Sequence, residues 1–353
     1  MSSKKWVITL ISITMVIVIA FGALQFYLDP LLQYGGERGP LTYRTYTELY
    51  CNPGIAKNYD YNAVLLGSSM VENTDVSELD KLFGCTTIKV PYSGGSTFNH
   101  KTILDVCYDS GHQVEKVFWA LDEYALTTGK NTPRFPLPEY LYDNTKINDL
   151  SYLLNFDIFY YYTLFDISGT IKNQNQIMMR DGSWEADESI YCKGNALSSI
   201  SYPMTQKENK GDSFFENNLL DNLEYNILPL IKAHPETEFH FYMAPYSILS
   251  WYIEKCAGTL DAQIYDVQTA LGKIFEYDNT NVHFFQNNEE IITNLDLYKD
   301  YTHFKPEINS WMTNEMYSHT YDLTKESYIT VLDNFHNYLT EFDYDAFISG
   351  MIE

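Results

Sequence analysis

Basic residues are scarce in this chain: 23 lysines and arginines stand against 47 acids, a formal net charge of -24 over 353 residues. That balance argues against nucleic acid as a partner, because phosphate binding draws most of its affinity from a basic footprint. It is also a poor match to anionic lipid headgroups, so membrane contact has to come from an apolar segment. Cysteine is sparse as well. Cys51, Cys85, Cys107, Cys192 and Cys256 form an odd set with no CxxC and no Cys/His metal spacing. An exported disulfide framework favours an even and denser set, so mostly buried free thiols are expected, with one bridge still open, and neither a metal nor a cofactor. Repeats and low-complexity tracts are missing too.

What is present begins with one long apolar run. Trp6 to Leu28 carries no charge, follows Lys4 and Lys5, and stops at Asp29. Such a run is long enough to cross a bilayer as a helix. The flanking charges put the amino terminus in the cytoplasm and the bulk of the chain outside. A cleavable signal peptide, with Ala20 and Gly22 near the processing site, is the rival reading. Signal h-regions are shorter, about 7–15 residues, so an uncleaved single-pass anchor in the cell membrane is favoured.

Beyond the anchor, strand-like and helix-like stretches alternate. Strands are expected at 63–66, 86–90, 116–121, 238–244 and 282–286, with helical patterns at 97–108, 215–233, 261–275 and from 306 onwards. Alternation at this spacing predicts an α/β fold, a three-layer arrangement with a parallel five-stranded sheet covered on both faces. Residues 1–28 form the cytoplasmic stub and anchor. Residues 29–60 read as a connector, with turn signals at Gly35-Gly36, Gly39-Pro40 and Asn52-Pro53-Gly54. Residues 61–353 form the main domain, and 126–237 is too long for one crossover, so it holds a helical insertion. That insertion is rich in aromatics (Phe156, Phe159, Tyr160 to Tyr162, Phe165, Trp184) and has a turn signal at Asp181-Gly182.

The first strand ends abruptly in Gly67-Ser68-Ser69-Met70. Ligands bind beyond the carboxyl ends of strands in open α/β sheets, so a serine there is placed either for chemistry or as a helix cap. A serine nucleophile needs a histidine base oriented by a carboxylate. Three Asp-x-x-His pairs exist: Asp109/His112, Asp300/His303 and Asp333/His336. The first falls before the third strand, at the wrong edge of the sheet. The last falls inside a terminal helix, where such spacing is ordinarily a surface pair. Only Asp300/His303, in a loop after the fifth strand, shares the serine's side. Asp122-Glu123, the other acidic pair of interest, is a poor glycosidase pair because adjacent strand residues point to opposite faces.

Gly67-Ser68-Ser69, Gly94-Gly95 and Asp300-x-x-His303 together resemble the SGNH (GDSL-like) hydrolase superfamily, whose fold is flavodoxin-like. The resemblance implies Ser69 as nucleophile, His303 as base and Asp300 as its orienting carboxylate. It also implies an oxyanion hole from the amides of Ser69 and Gly94 or Gly95. Ser68 replaces the family's aspartate, and Asp122 stands where its third block carries an asparagine. A Gly-Ser-Ser block on an anchored extracytoplasmic chain is most similar to the DltD-like and alginate-acetylation-like branch. The implied function is an acyltransferase or esterase on a cell-envelope polysaccharide or teichoic-acid-like polymer, partnered by a membrane-bound O-acyltransferase. The alternative is a non-catalytic glycan-binding or scaffold partner of such an enzyme.

Overall fold

The computed structural model describes residues 2–36, 41–42, 47–172 and 188–352, which fall into two compact units. Gly39-Pro40, Asp181-Gly182 and Trp184 lie outside the described residues.

One unit is a six-stranded sheet with its helices, formed by 61–101, 113–135 and 180–353. Strands β1 (Ala63–Leu66), β2 (Thr87–Lys89), β3 (Lys116–Ala120), β4 (Glu238–Met243) and β5 (Thr280–Phe284) run parallel in the order β2-β1-β3-β4-β5. Residues of both parities are buried: Phe239 and Phe241 with Trp119 on one side, Phe118 stacked on His240 and His240 on His283 on the other. Burial on two faces is what makes these strands continuous apolar runs.

The expected five-stranded sheet is corrected to six. Strand β6 (Asp322–Leu323) pairs antiparallel with His283 and Val282 inside a stretch expected to be helical throughout. Two residues carry no periodicity. Their pairing is secured by tertiary contacts, with the Asp322 carboxylate meeting His283 at 2.5 Å and His319 at 2.7 Å. Strand β5 also begins two residues before its apolar run, because Thr280 and Asn281 pair with β4 while only half-buried. The helices Thr97–Asp109 and Leu260–Ile274 fall close to expectation. The pattern at 215–233 is met by Glu216–Asn222 and Leu228–Ala233, joined by a π turn over Leu223–Ile227.

The other unit comprises residues 1–60, 102–112 and 136–179. Its apolar helix Ser3–Leu28 is long and apolar enough to cross a membrane. The stretch expected as a connector is largely structured: helix Glu48–Asn58 buries Cys51 and Ile55, and the backbone of Leu31 and Leu32 packs where a Cβ on Gly54 would stand, within 2.7 Å. Asp29 locks the end of the apolar helix. Its buried carboxylate accepts from the amides of Gln33 (2.8 Å) and Tyr34 (2.7 Å) and from the Tyr152 hydroxyl (2.9 Å). The insertion therefore divides between the two units.

All five cysteines are free; Cys51, Cys107 and Cys256 are buried and Cys85 and Cys192 half-buried.

Gly67 is the tightest point between β1 and its loop. A Cβ there would stand 2.8 Å from both the Ala120 and Val71 side chains. Gly67→Ala is expected to cost about 1–3 kcal/mol through overpacking, read as a lowered denaturation midpoint at unchanged slope. An unchanged midpoint would show that the loop has slack.

Candidate active site

Parallel pairing brings the carboxyl ends of β1 to β5 to one edge of the sheet, and the loops that leave this edge build the site. Beyond β1 the two serines divide the roles that the sequence left open. Ser68 is the cap: its hydroxyl accepts from the Met70 amide at 3.3 Å, opening a short 3₁₀ turn Ser69–Val71. Ser69 is thereby left half-buried, with its hydroxyl free to face elsewhere. Its Oγ lies 2.8 Å from Nε2 of His303, 234 residues away in the chain.

His303 comes from the loop after β5, and Asp300 organises that loop with both carboxylate oxygens. Oδ1 accepts from the amides of Thr302 (2.9 Å) and His303 (2.8 Å) and from the Thr302 hydroxyl (3.1 Å), a side-chain-capped turn. Oδ2 meets His303 Nδ1 at 2.8 Å. A bridge between Tyr298 and Phe304 closes the loop, and the buried Tyr298 hydroxyl donates to the Pro245 carbonyl at 2.7 Å. Burial acts to raise the Asp300 carboxyl, but the hydrogen bond and charge of His303 and the two amides outweigh it, holding it well below the usual carboxylate range. Asp300 thus stays ionised, as the orienter of a general base must be.

The pair Asp333/His336 does not form a comparable relay. His336 turns to Asp261 at 2.7 Å, while Asp333 accepts from Gln268. Asp109 ends the helix Thr97–Asp109, and His112 lies just past the turn that follows, ahead of β3.

The glycine pair separates too. The Gly95 amide donates to the Tyr92 carbonyl at 2.7 Å and is committed to its turn. Gly94 sits at φ +61°, and its amide has no hydrogen-bond partner among the described residues, as is true of the Ser69 amide. Ser69 and Gly94 are therefore the amides available to an oxyanion, and Gly95 drops out. The side chain of Arg134 covers Gly94, its Nε 3.3 Å from where a Cβ would stand.

Asp122 lies just past β3, buried, and accepts from the Tyr246 hydroxyl. Burial raises its carboxyl, against the opposing pull of Tyr246, Ser68 and His303. The upward shift weakens the negative charge that an ionised carboxylate would place beside an oxyanion.

Sequence reasoning did not find His100. It is fully buried, accepts from the Trp119 indole at 3.1 Å, and is pushed down to about 4 by burial, so it packs as a neutral ring beneath the glycine turn. Its signal was a lone histidine in a helical pattern, which carries no information without its neighbours. The cavity beside the triad was equally invisible. It measures about 570 Å³ and is lined by Glu123, Tyr124, Tyr246, Trp251, Tyr301 and Thr302, the last two preceding His303 directly. That size and mixed lining suit an organic ligand. No cluster of metal-ligating side chains occurs among the described residues.

Glu123 gives the cavity a pH dependence. Burial pushes its carboxyl up to about 7, only partly offset by the Gln286 amide that donates to it at 2.7 Å. The folded state therefore keeps a proton that the unfolded chain releases near 4.5. Stability from this group is full below about 4.5 and falls as pH rises through about 7. Glu123→Gln is expected to flatten the decline in melting temperature between pH 5 and 8, recovering roughly 3 kcal/mol at the alkaline end. Parallel curves for the two proteins would refute a buried neutral Glu123.

No protein-family model matches this chain, and no curated protein is similar enough in sequence to indicate a family.

Proposed function

We propose that this chain is an SGNH-like serine acyltransferase or esterase, anchored in the cell membrane with its main body outside. Its substrates are acyl esters of a cell-envelope polysaccharide or teichoic-acid-like polymer. The observation that carries this reading is the continuous relay Ser69 Oγ–His303 Nε2 and His303 Nδ1–Asp300 Oδ2, each 2.8 Å, on the ligand-binding edge of a parallel sheet. Both distances lie within hydrogen-bond reach for a nucleophile, its base and the orienting group.

In the first half-reaction Ser69 Oγ attacks the ester carbonyl while His303 Nε2 takes the hydroxyl proton. The amides of Ser69 and Gly94 stabilise the oxyanion, the largest single contribution in many acyl transfers. Asp300 stabilises the imidazolium. Collapse breaks the ester bond, and the departing alkoxide leaves with the proton from His303. In the second half-reaction an acceptor hydroxyl, or water, gives its proton to His303 and attacks the acyl-serine, restoring Ser69. A sugar acceptor makes the protein a transferase and water makes it an esterase. The aromatic lining of the cavity supports a glycan, whose rings stack on such faces.

The anchor reading is supported by packing. Gln25 and Leu28 at the end of the apolar helix are buried against the rest of their unit, and Asp29 is held by three hydrogen bonds. A cleaved signal peptide has no need of such a socket. A membrane-bound O-acyltransferase is the partner this reading implies, as donor of the acyl group.

Ser69→Ala and His303→Ala are each expected to abolish covalent labelling by a fluorophosphonate probe. Asp300→Asn is expected to slow it on the order of 10³–10⁴-fold, with the fold retained by circular dichroism. Wild-type protein that binds polysaccharide but never reacts with the probe would favour the scaffold alternative, which the acid at Asp122 in place of the family's asparagine recommends. Labelling that persists in both alanine variants would sink the relay.

A further inference from the structure

The helical segments that follow residue 150 meet the apolar helix at one depth only. Along Ser3–Leu28, the positions that are not exposed are Phe21, Gly22, Gln25 and Leu28, which share one face. The Phe21 ring packs edge-on against Phe159, with centroids 5.1 Å apart. Gly22 lets Leu154 approach to 3.4 Å of where a Cβ would stand. The Thr163 hydroxyl donates to the Gln25 side-chain oxygen at 2.6 Å. Leu154 directly follows the short helix Leu150–Leu153, and Phe159 and Thr163 belong to the π turn Phe159–Thr163, which is flanked by the helices Phe156–Ile158 and Leu164–Ile171.

Bilayer dimensions fix what that depth means. A hydrocarbon core of about 30 Å takes about 20 helical residues. Counted from Trp6, the core ends near Gln25, so Phe21 lies about 6 Å below its outer face at 1.5 Å rise per residue. The segments packed on Phe21, Gly22 and Gln25 are therefore level with the lipid interface. From 156 to 171 their exposed positions are Phe156, Tyr160, Tyr161, Leu164, Phe165 and Ile171, interrupted only by Asp157. Fractional exposure is 65% at Phe156, 63% at Tyr161 and 79% at Ile171. A soluble surface does not concentrate large apolar side chains in this way. Phenols and phenyl rings at the level of the headgroups form the aromatic belt of membrane proteins, where the apolar body is buried and the hydroxyl stays wet.

We propose that this aromatic face is a second membrane element, lying in the outer leaflet beside the anchor and holding its unit against the lipid. The occupant of the face is the bilayer surface itself, because the face continues the lipid-exposed surface of the anchor helix and between 156 and 171 carries no basic residue, the first being Lys172 at its end. The proposal rests on the anchor reading, and its test separates the two.

The full chain, with Cys85 and Cys192 changed to serine, is reconstituted in phosphatidylcholine nanodiscs with a nitroxide on Tyr161→Cys, Phe165→Cys or Ile11→Cys. Thermal melting verifies that each variant remains folded. All three labels are expected to be more accessible to oxygen than to a water-soluble nickel chelate, most strongly at residue 11. Nickel-accessible labels at 161 and 165 with an oxygen-accessible label at 11 would overturn the lipid-bound face while leaving the anchor standing, and would hand the face to a protein partner. A nickel-accessible label at 11 would overturn both.

Discussion

The candidate site depends on the parallel register of β1 to β5. Because those strands point one way, the loops after β1, β3, β4 and β5 all emerge at the same edge, and residues far apart in the chain become neighbours there. Ser69 arrives from the first loop, Asp122 from the third strand, Tyr246 from the fourth and the 300–303 turn from the fifth. An antiparallel sheet would scatter those ends over two edges. The register is itself held by burial of both strand faces, where Trp119, Phe241, Phe118 and His240 exclude water from the ladder.

Within that frame the site economises on polar groups. Asp300 serves as turn cap through one oxygen and as imidazole partner through the other, so the backbone of its own loop fixes the histidine's orientation. Ser68 caps the turn and so relieves its neighbour of that task. The remaining acids in the region, Asp122 and Glu123, are both shifted upward by burial. In a chain with an excess of acids this sorting matters: the carboxylate beside the imidazole is held below the usual range, and the two behind it are raised above it.

Several elements were legible before any coordinates. The apolar runs at 63–66 and 116–120 mark buried strands because both of their faces are covered, and the position of each acid–histidine pair relative to those strands singled out Asp300 and His303. Strand β6 was illegible because two residues have no period, and its partners lie about 40 residues upstream. The stretch 29–60 looked like a connector because its glycines and prolines are turn formers. Gly54 instead serves close packing against Leu31 and Leu32 inside a folded unit, a use that composition does not distinguish from a turn.

By itself the sequence determined the alternating α/β order, the apolar helix at the amino terminus and the identity of the serine, histidine and aspartate worth considering. Local patterns suffice for these, since periodicity and turn chemistry act over a few residues. Tertiary structure alone decided which serine caps and which faces the histidine, that Gly95 is spent in a turn while Gly94 is not, and that a cavity is lined by Tyr301 and Thr302. It also decided that the insertion's aromatics gather on one exposed face beside the apolar helix Ser3–Leu28. Each of these depends on distances between segments far apart in the chain, and no local rule of propensity or spacing encodes such a distance.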